Sequence, residues 1–400
     1  MFRFRNLMLL GICALAMFQS SCNKKFSNDN PLEPVYPPSV FIGNDNGVLS
    51  ALDYTTGKQN WSYTFSNAIF ASPYVYGGCV YVGTINYLAP LGTCDTIFKI
   101  NSATGKLVKS FVLTAPCSFK ATPIADSASL YVATMNNNLY SLDTGTGAAN
   151  WSFVGDAPFV SSPLIYKDTL IIASTNGTIY SINKRNGTLN WSHTVVSASG
   201  SPVVFNSSPA LCDSYIYIGS YSDSSVYCIR TSPIPYSGTP TATDAIKWSY
   251  KTKGNIFSSP AAGNGKVIVG STDNNVYCLD IVSGLKEWSF ETNAAIFSSP
   301  TVYNSRVYIG STDYNLYALN ILNGSLVWKQ PTNGMVKSSP LVYNGNVYIA
   351  SFDNYIYSFN ASSGTMNWHS NISGQAQCSP SIEDYSKTQH NSQISGTIHF

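Results

Sequence analysis

Short stretches in which apolar and polar residues alternate recur along most of the chain. In one clear unit, Ser298–Trp328, the segments Arg306–Gly310 (RVYIG) and Asn315–Leu319 (NLYAL) alternate with a period of two around a Ser-Thr-Asp-Tyr turn. Such alternation is typical of β-strands. Pro300 opens a further strand, where a missing N–H is tolerated. A turn with Asn and Gly four residues apart then leads into a strand that carries Trp328, so the unit is predicted to contain four short strands.

This unit repeats with a period of about forty residues, the spacing of a repeat architecture. Tryptophan marks the last strand in seven copies: Trp61, Trp151, Trp191, Trp248, Trp288, Trp328 and Trp368. An eighth copy carries Lys109 at this position, and a Ser-Pro or Thr-Pro pair occurs eight times, ending at Pro73, Pro123, Pro163, Pro209, Pro260, Pro300, Pro340 and Pro380. Four strands per repeat predict an all-β fold, an eight-bladed β-propeller of four-stranded antiparallel blades. We expect the tryptophans to pack between blades as structural residues.

The two ends of the repeat array are complementary. The array starts at Val40 with the second, third and fourth strands of a blade, and it ends with an isolated first strand after Pro380. The terminal segments are therefore predicted to share one blade and close the ring. Residues 40–400 are assigned to a single propeller domain, within which Asp384–Phe400 has no assigned place.

The segment before the propeller has the features of an export signal. Residues 1–21 contain Arg3 and Arg5 and then a 12-residue apolar run, Leu7–Phe18, which is too short to span a bilayer. Cys22 follows two serines and resembles the lipidated cysteine of a bacterial lipoprotein; the alternative is an ordinary signal with a coincidental cysteine. Residues 22–39 are polar and proline-rich, as expected of a tether. We expect a protein anchored by lipid to the bacterial outer membrane, on its periplasmic or its surface face.

The amino-acid composition excludes some classes of structure and function. Charged residues make up 10% of the chain and hydrophobic residues 44%, against about 25% charged residues in ordinary soluble domains. This balance excludes intrinsic disorder and disfavours long helices. The formal net charge is only +2, which argues against a nucleic-acid partner.

Cysteine and histidine supply no recognisable metal or redox motif. Beyond Cys13 and Cys22, the seven cysteines are Cys79, Cys94, Cys117, Cys212, Cys228, Cys278 and Cys378, without any Cys-x-x-Cys. An odd number leaves at least one thiol unpaired, and Cys228 and Cys278 occupy strand positions that suit small buried residues. The four histidines lack metal-ligand spacing, so no metal site is predicted. Asp273, Asp313 and Asp353 recur in equivalent turns, where turn chemistry accounts for them better than catalysis.

The repeat itself resembles a known one. The G-x-x-x-W turn of Gly324–Trp328, the preceding Asn320 and the strand pair Val307–Leu319 (VYIGSTDYNLYAL) look like the PQQ-like repeat of quinoprotein dehydrogenases and of BamB lipoproteins of the outer-membrane barrel-assembly machinery. The resemblance covers Val40–Ile382. For an enzymatic member it implies a PQQ cofactor and calcium, but the vicinal Cys-Cys usual in the alcohol dehydrogenases is absent, as is their extra length. We therefore expect no cofactor and no catalytic residues.

A binding surface is predicted at the mouth of the central channel. The residue three positions before each repeated proline starts an innermost strand, and these residues are Phe70, Lys120, Val160, Asn206, Phe257, Phe297, Lys337 and Gln377. Their mixture of phenylalanine, lysine and amides favours a site for an extended peptide or an anionic ligand. The alternative is that phenylalanine fills the channel and lysine extends to solvent. An insertion at Thr84–Thr96 adds Tyr87, Leu88 and Leu91 to the same face. A second insertion, at Val195–Asn206, is predicted to lie on this face as well.

These observations favour a non-catalytic envelope lipoprotein that acts as a protein-interaction scaffold, similar to the outer-membrane assembly subunit, through loop contacts and strand addition. Its partners would be envelope proteins, among them the outer-membrane assembly machinery. A surface lipoprotein that binds carbohydrate or a small ligand is the second hypothesis. A PQQ-dependent quinoprotein dehydrogenase is the third, on fold analogy alone.

Overall fold

The alternating segments form short antiparallel strands grouped into eight sheets. The computed structural model describes residues 38–85, 95–113, 118–231, 245–383 and 389–391. Within these ranges the sheets are the blades of the predicted eight-bladed propeller, and no helix is long and apolar enough to cross a membrane. The predicted signal peptide (1–21), Cys22 and nearly all of the tether (22–39) lie outside the described residues.

The blades follow one another along the chain. Blade 1 contains β1 (Ser39–Gly43), β2 (Val48–Asp53), β3 (Gln59–Thr64), β32 (Ser381–Glu383) and β33 (Gln389–Asn391). Blade 2 contains β4 (Tyr74–Tyr76), β5 (Cys79–Gly83), β6 (Thr96–Asn101) and β7 (Leu107–Val112), and blade 3 contains β8 (Ile124–Ala125), β9 (Ser129–Ala133), β10 (Asn138–Asp143) and β11 (Ala149–Val154). Blade 4 contains β12 (Leu164–Tyr166), β13 (Thr169–Ala173), β14 (Thr178–Asn183) and β15 (Leu189–Thr194), and blade 5 contains β16 (Ala210–Cys212), β17 (Tyr215–Gly219), β18 (Ser225–Arg230) and β19 (Ile246–Lys251). Blade 6 contains β20 (Ala261–Gly263), β21 (Lys266–Gly270), β22 (Asn275–Asp280) and β23 (Lys286–Glu291). Blade 7 contains β24 (Thr301–Tyr303), β25 (Arg306–Gly310), β26 (Asn315–Asn320) and β27 (Leu326–Pro331), and blade 8 contains β28 (Leu341–Tyr343), β29 (Asn346–Ala350), β30 (Tyr355–Asn360) and β31 (Met366–Asn371).

Blade 1 closes the ring as the sequence predicted. Strand β1 pairs antiparallel with β32, so that Val40 lies opposite Ile382. Strand β33 adds a fifth strand beside β32, which gives part of Asp384–Phe400 a place that the sequence left open. Residues 384–388 and 392–400 lie outside the described residues.

Apolar cores lie between neighbouring blades. One of them joins Ile268 and Val276 of blade 6 to Val307 and Ile309 of blade 7, all of which are fully buried. The middle two strands of each blade supply most of these residues, because both of their faces are covered by adjacent sheets. Removing this apolar surface from water is the main favourable contribution to the stability of such an array.

Tryptophans dock most blades onto the next one, as predicted. The Trp288 Nε1–H donates to the Ile321 carbonyl at 2.9 Å, and the Trp328 Nε1–H donates to the Ala361 carbonyl at 3.1 Å. Across the ring closure, the Trp368 Nε1–H donates to the Tyr54 carbonyl at 3.2 Å. The ring is thus closed by the same contact that joins the other blades.

Blade 2 carries a substitute for this contact. Lys109 stands where the other copies have tryptophan, and the residue opposite it across β6 and β7 is Lys99. The Lys99 ammonium donates to the Thr144 carbonyl of blade 3 at 3.1 Å. This carbonyl is the equivalent of those that accept the indole N–H elsewhere, so a lysine satisfies it here.

The residue before each repeated proline forms a second connection between blades. The Ser299 N–H donates to the Ser339 hydroxyl, the Ser339 N–H to the Ser379 hydroxyl of the closing blade, and the Ser379 N–H to the Ser72 hydroxyl of blade 2. Equivalent bonds join the neighbouring pairs from Thr122 to Ser299. The serine hydroxyl that accepts each of these bonds explains why serine recurs before the proline, which the sequence did not reveal.

Candidate functional site

The predicted mouth residues lie at equivalent positions in the loops that enter the innermost strands, about four residues before each strand begins. Each follows a buried apolar residue and precedes a small buried one; Phe257, for example, lies between Ile256 and Ser258. Six of the eight side chains are half-buried: Phe70, Val160, Asn206, Phe257, Phe297 and Lys337. Lys120 and Gln377 are exposed.

The loops that enter the innermost strands share one face with the turns between the second and third strands. In blades 5 and 6 the Thr252 N–H donates to the Ser224 carbonyl at 2.8 Å, and the Ile256 N–H donates to the Ser220 carbonyl. These bonds fix the turn of one blade beside the entry loop of the next. We call this side of the propeller the mouth face.

Five side chains form a continuous cluster on the mouth face, running from blade 5 to blade 8. The Tyr221 and Phe257 ring centroids are 5.0 Å apart, and those of Phe257 and Phe297 are 5.1 Å apart. The Lys337 ammonium lies 5.1 Å from the Phe297 ring centre and 4.8 Å from that of Phe352. We call Tyr221, Phe257, Phe297, Lys337 and Phe352 the mouth cluster.

The chemistry of the mouth cluster follows from these contacts. Aromatic rings at such separations attract each other, and an ammonium over a ring face gains a cation–π interaction of about 0.5–1 kcal/mol at an exposed site. The rings hold the Lys337 charge over an apolar surface, and Tyr221 is 38% exposed. The cluster can therefore offer apolar area and one positive charge to the same partner.

The cluster joins some predicted residues and leaves out others. Phe257, Phe297 and Lys337 are brought together, whereas Phe70, Lys120, Asn206 and Gln377 occupy the corresponding positions of other blades. Tyr221 and Phe352 were missed, because they belong to turns and only the fold places them against the entry loops. Tyr87, Leu88 and Leu91 lie outside the described residues. The insertion at Val195–Asn206 does lie on the mouth face, where the Tyr221 N–H donates to the Val204 carbonyl at 2.8 Å.

The recurring aspartates of the turns are occupied by structural bonds. The Asp313 Oδ2 atom accepts from the Tyr317 hydroxyl and from the Asn293 N–H, at 2.6 and 2.9 Å, and Oδ1 accepts from the Asn315 N–H. Asp273 and Asp353 repeat the arrangement. Burial, together with the carboxylate of Asp313, raises the pKa of Tyr317 above its ordinary value. These carboxylates therefore stabilise the turns, in line with the sequence interpretation.

The described cysteines and His193 are placed as packing residues. Among the described ranges, Cys79, Cys212, Cys228, Cys278 and Cys378 are free, while Cys94 and Cys117 lie outside them. Burial raises the pKa of the Cys228 thiol to about 11 and that of Cys378 to about 12. His193 stacks on Trp191, and burial lowers its pKa. Within the described residues, no three His, Cys, Asp or Glu side chains are placed to hold a metal ion.

Comparison with known proteins supports the propeller fold and identifies a protein family whose model matches this chain. A family model described as outer membrane protein assembly factor BamB matches residues 25–118, 95–232 and 238–384. No curated protein is significantly similar in sequence. Among solved structures, BamB from Moraxella catarrhalis is similar with a TM-score of 0.61 and 18% identity, covering 81% of this chain and 88% of that one.

Two further structures show how widely the architecture is used. The computationally designed protein Ika8 matches with a TM-score of 0.66 and 14% identity, over 83% of this chain and 95% of that one. A europium-containing methanol dehydrogenase matches with a TM-score of 0.64 and 10% identity, over 83% of this chain and 85% of that one. At such identities the likeness establishes the fold alone.

Proposed function

Because the chain belongs to the family of the outer membrane protein assembly factor BamB, we propose that it is a non-catalytic scaffold of the cell envelope that binds a partner protein at the mouth face. The observation that carries this proposal is the mouth cluster, in which four aromatic rings and Lys337 are in continuous contact. The family supports a partner from the outer-membrane assembly machinery, and the sequence supports attachment to the outer membrane through a lipid on Cys22.

The cluster suits an extended segment of a partner. Aromatic side chains supply large apolar area, and binding energy at protein interfaces concentrates in a few such residues. The Lys337 ammonium would pair with a carboxylate of that segment. The net charge of the chain is near zero, so long-range electrostatic steering contributes little and contacts within the interface determine the affinity.

A cross-linking pull-down from intact cells tests the proposal. The double variant Phe257→Ala/Phe297→Ala is expected to lose at least about 90% of the recovered envelope partner, which corresponds to the removal of more than about 1.4 kcal/mol of binding energy. The matched control is Leu285→Ala/Leu322→Ala, because both leucines are 71% exposed and lie in turns on the opposite face. Recovery of no envelope protein by the wild type, or equal recovery by both double variants, would contradict the proposal.

A further inference from the structure

The connection between blades 4 and 5 encloses a polar cleft on the mouth face. Its volume is about 600 Å³, and six of its eleven lining residues are serines. They come from the Val195–Asn206 insertion, from the β17–β18 turn and from β18 and β19. Asp223 and Lys251 are the two charged side chains of the lining, and Tyr227 is its one aromatic residue.

The insertion that forms one wall of the cleft is an ordered hairpin. Val196 and Pro202 form a β-bridge, and the Ser197 N–H donates to the Ser201 carbonyl at 2.8 Å. The Val204 N–H donates to the Ser222 hydroxyl at 2.9 Å, which ties the insertion to the β17–β18 turn. One wall of the cleft is therefore ordered by its own bonds and is tied to the turn that forms the other wall.

This turn differs from its equivalents in the following blades by two unsatisfied polar atoms. In blade 6 the Ser271 hydroxyl donates to the Gly254 carbonyl, and the Asp273 Oδ1 atom accepts from the Asn275 N–H at 3.0 Å. In blade 5 the equivalent atoms, Ser220 Oγ and Asp223 Oδ1, are buried and have no hydrogen-bond partner among the described residues.

The replaced connection accounts for the Ser220 hydroxyl, whereas the Asp223 Oδ1 atom lacks the bond from the turn's own N–H, in a turn that is one residue longer than that of blade 6. In blades 6 and 7 the entry loop supplies the carbonyl for the turn serine, from Gly254 and Ala294. The insertion takes this loop along a different path in blade 5. A buried carboxylate oxygen without a donor is costly, so the site favours any group that brings an O–H or N–H to Asp223.

The composition of the lining selects among ligands. Serine hydroxyls both donate and accept hydrogen bonds, as the hydroxyls of a polyhydroxylated ligand do. Ala198 and Pro202 are the apolar members of the lining, which leaves little to anchor the side chains of a peptide. One negative and one positive side chain compensate each other, so strongly charged ligands gain little. A volume of about 600 Å³ lies within the 300–1,000 Å³ usual for small-molecule sites.

We propose that the cleft between the Val195–Asn206 insertion and blade 5 binds a neutral saccharide, with the free oxygen of Asp223 accepting from a sugar hydroxyl. This site is distinct from the mouth cluster and does not depend on the scaffold function. The serines and Lys251 would bond further hydroxyls along the cleft.

Titration of the purified protein with maltohexaose, cellohexaose and chitohexaose, followed by saturation-transfer NMR and calorimetry, tests the proposal. At least one of these probes is expected to bind saturably at millimolar concentration. Ser249→Tyr would fill the cleft from the exposed side of β19 and is expected to weaken binding at least tenfold. The matched control, Ser289→Tyr, makes the same change at the equivalent position of β23 and is expected to bind as the wild type does.

A second pair of variants tests the carboxylate. Asp223→Asn is expected to weaken binding about tenfold, because the sugar hydroxyl would then donate to a neutral amide oxygen and not to a charged carboxylate. Asp313→Asn alters the equivalent turn of blade 7 without changing affinity. Binding of none of the three probes, or equal affinity of Ser249→Tyr and Ser289→Tyr, would overturn the proposal. Unchanged recovery of the envelope partner by Ser249→Tyr would show that the two sites act separately.

Discussion

Replacing Gly324 by alanine is expected to displace Trp288 from its place between blades 6 and 7. Gly324 has a φ of +72°, and a Cβ atom added there would lie 2.5 Å from Cε3 of the Trp288 ring. That ring is 7% exposed and is fixed by its hydrogen bond to the Ile321 carbonyl. The ring cannot move aside without losing this bond and its packing.

Two costs add in this variant. A left-handed backbone costs an L-residue about 1–2 kcal/mol. Displacing the tryptophan costs up to what Trp→Ala would cost, about 3–5 kcal/mol. With partial relaxation of the neighbours, Gly324→Ala is expected to lower the free energy of unfolding by about 3–5 kcal/mol.

The chain provides a control that isolates the backbone cost. Gly265 has a φ of +80°, and no atom lies within 4 Å of an added Cβ. Gly265→Ala is therefore expected to cost only about 1–2 kcal/mol. Urea unfolding followed by far-UV circular dichroism measures both variants under the same conditions.

A double-mutant cycle then tests the mechanism. In a Trp288→Ala background the ring is gone, so adding Gly324→Ala should cost only the backbone strain, as at Gly265. The two substitutions would then be non-additive by about 2 kcal/mol or more. Equal destabilisation by Gly324→Ala and Gly265→Ala, or an additive cycle, would refute the docking explanation.

Three further predictions concern the contacts between blades and one buried imidazole. Ser339→Ala leaves the buried Ser299 N–H without its acceptor and is expected to destabilise by about 1–3 kcal/mol in thermal unfolding; the exposed Ser289→Ala is the control, and equal melting temperatures would contradict the prediction. Lys99→Ala removes the donor to the Thr144 carbonyl and is expected to cost about 1.5–3 kcal/mol. Adding Lys109→Trp should recover part of this loss, and a further loss would show that the lysines are not a substitute for the tryptophan. Burial lowers the pKa of His193 below its ordinary 6.5, so its neutral form contributes stability that is complete above the unfolded pKa and is lost as pH falls below it. His193→Phe, which copies Phe153 and Phe290 at equivalent positions, should therefore flatten the decline of melting temperature between about pH 7.5 and 5, and an unchanged slope would exclude His193 as its cause.

The architecture was predictable because the residues that define each blade recur at a regular spacing along the chain. The spacing of Trp288, Trp328 and Trp368 fixes the repeat, and counting strands from Val40 to Pro380 fixes the ring closure. Neither step needs knowledge of which residues meet in space. The same holds for Asp313, whose place in a turn follows from its neighbours along the chain.

The functional surface was only partly predictable because it depends on contacts between blades. Phe257, Phe297 and Lys337 share a register position, which the sequence displays. Tyr221 and Phe352 belong to turns of different length and reach the cluster only because those turns lie beside the entry loops. Likewise, the serine before most of the repeated prolines is explained only by its bond to the neighbouring blade.

Departures from the repeat are the most informative positions for function in such a fold. In the turns of blades 6, 7 and 8, a backbone N–H donates to the Oδ1 atom of Asp273, Asp313 and Asp353. An aspartate in this turn can therefore have both of its carboxylate oxygens hydrogen-bonded. Blade 5 keeps the aspartate, as Asp223, and its tyrosine bond, but the Oδ1 atom lacks the bond from the turn N–H that blades 6, 7 and 8 provide. A buried, unsatisfied carboxylate oxygen lowers stability and gains nothing for folding. A ligand hydroxyl at this point would restore the missing bond, so the cost to the free protein would become binding energy in the complex.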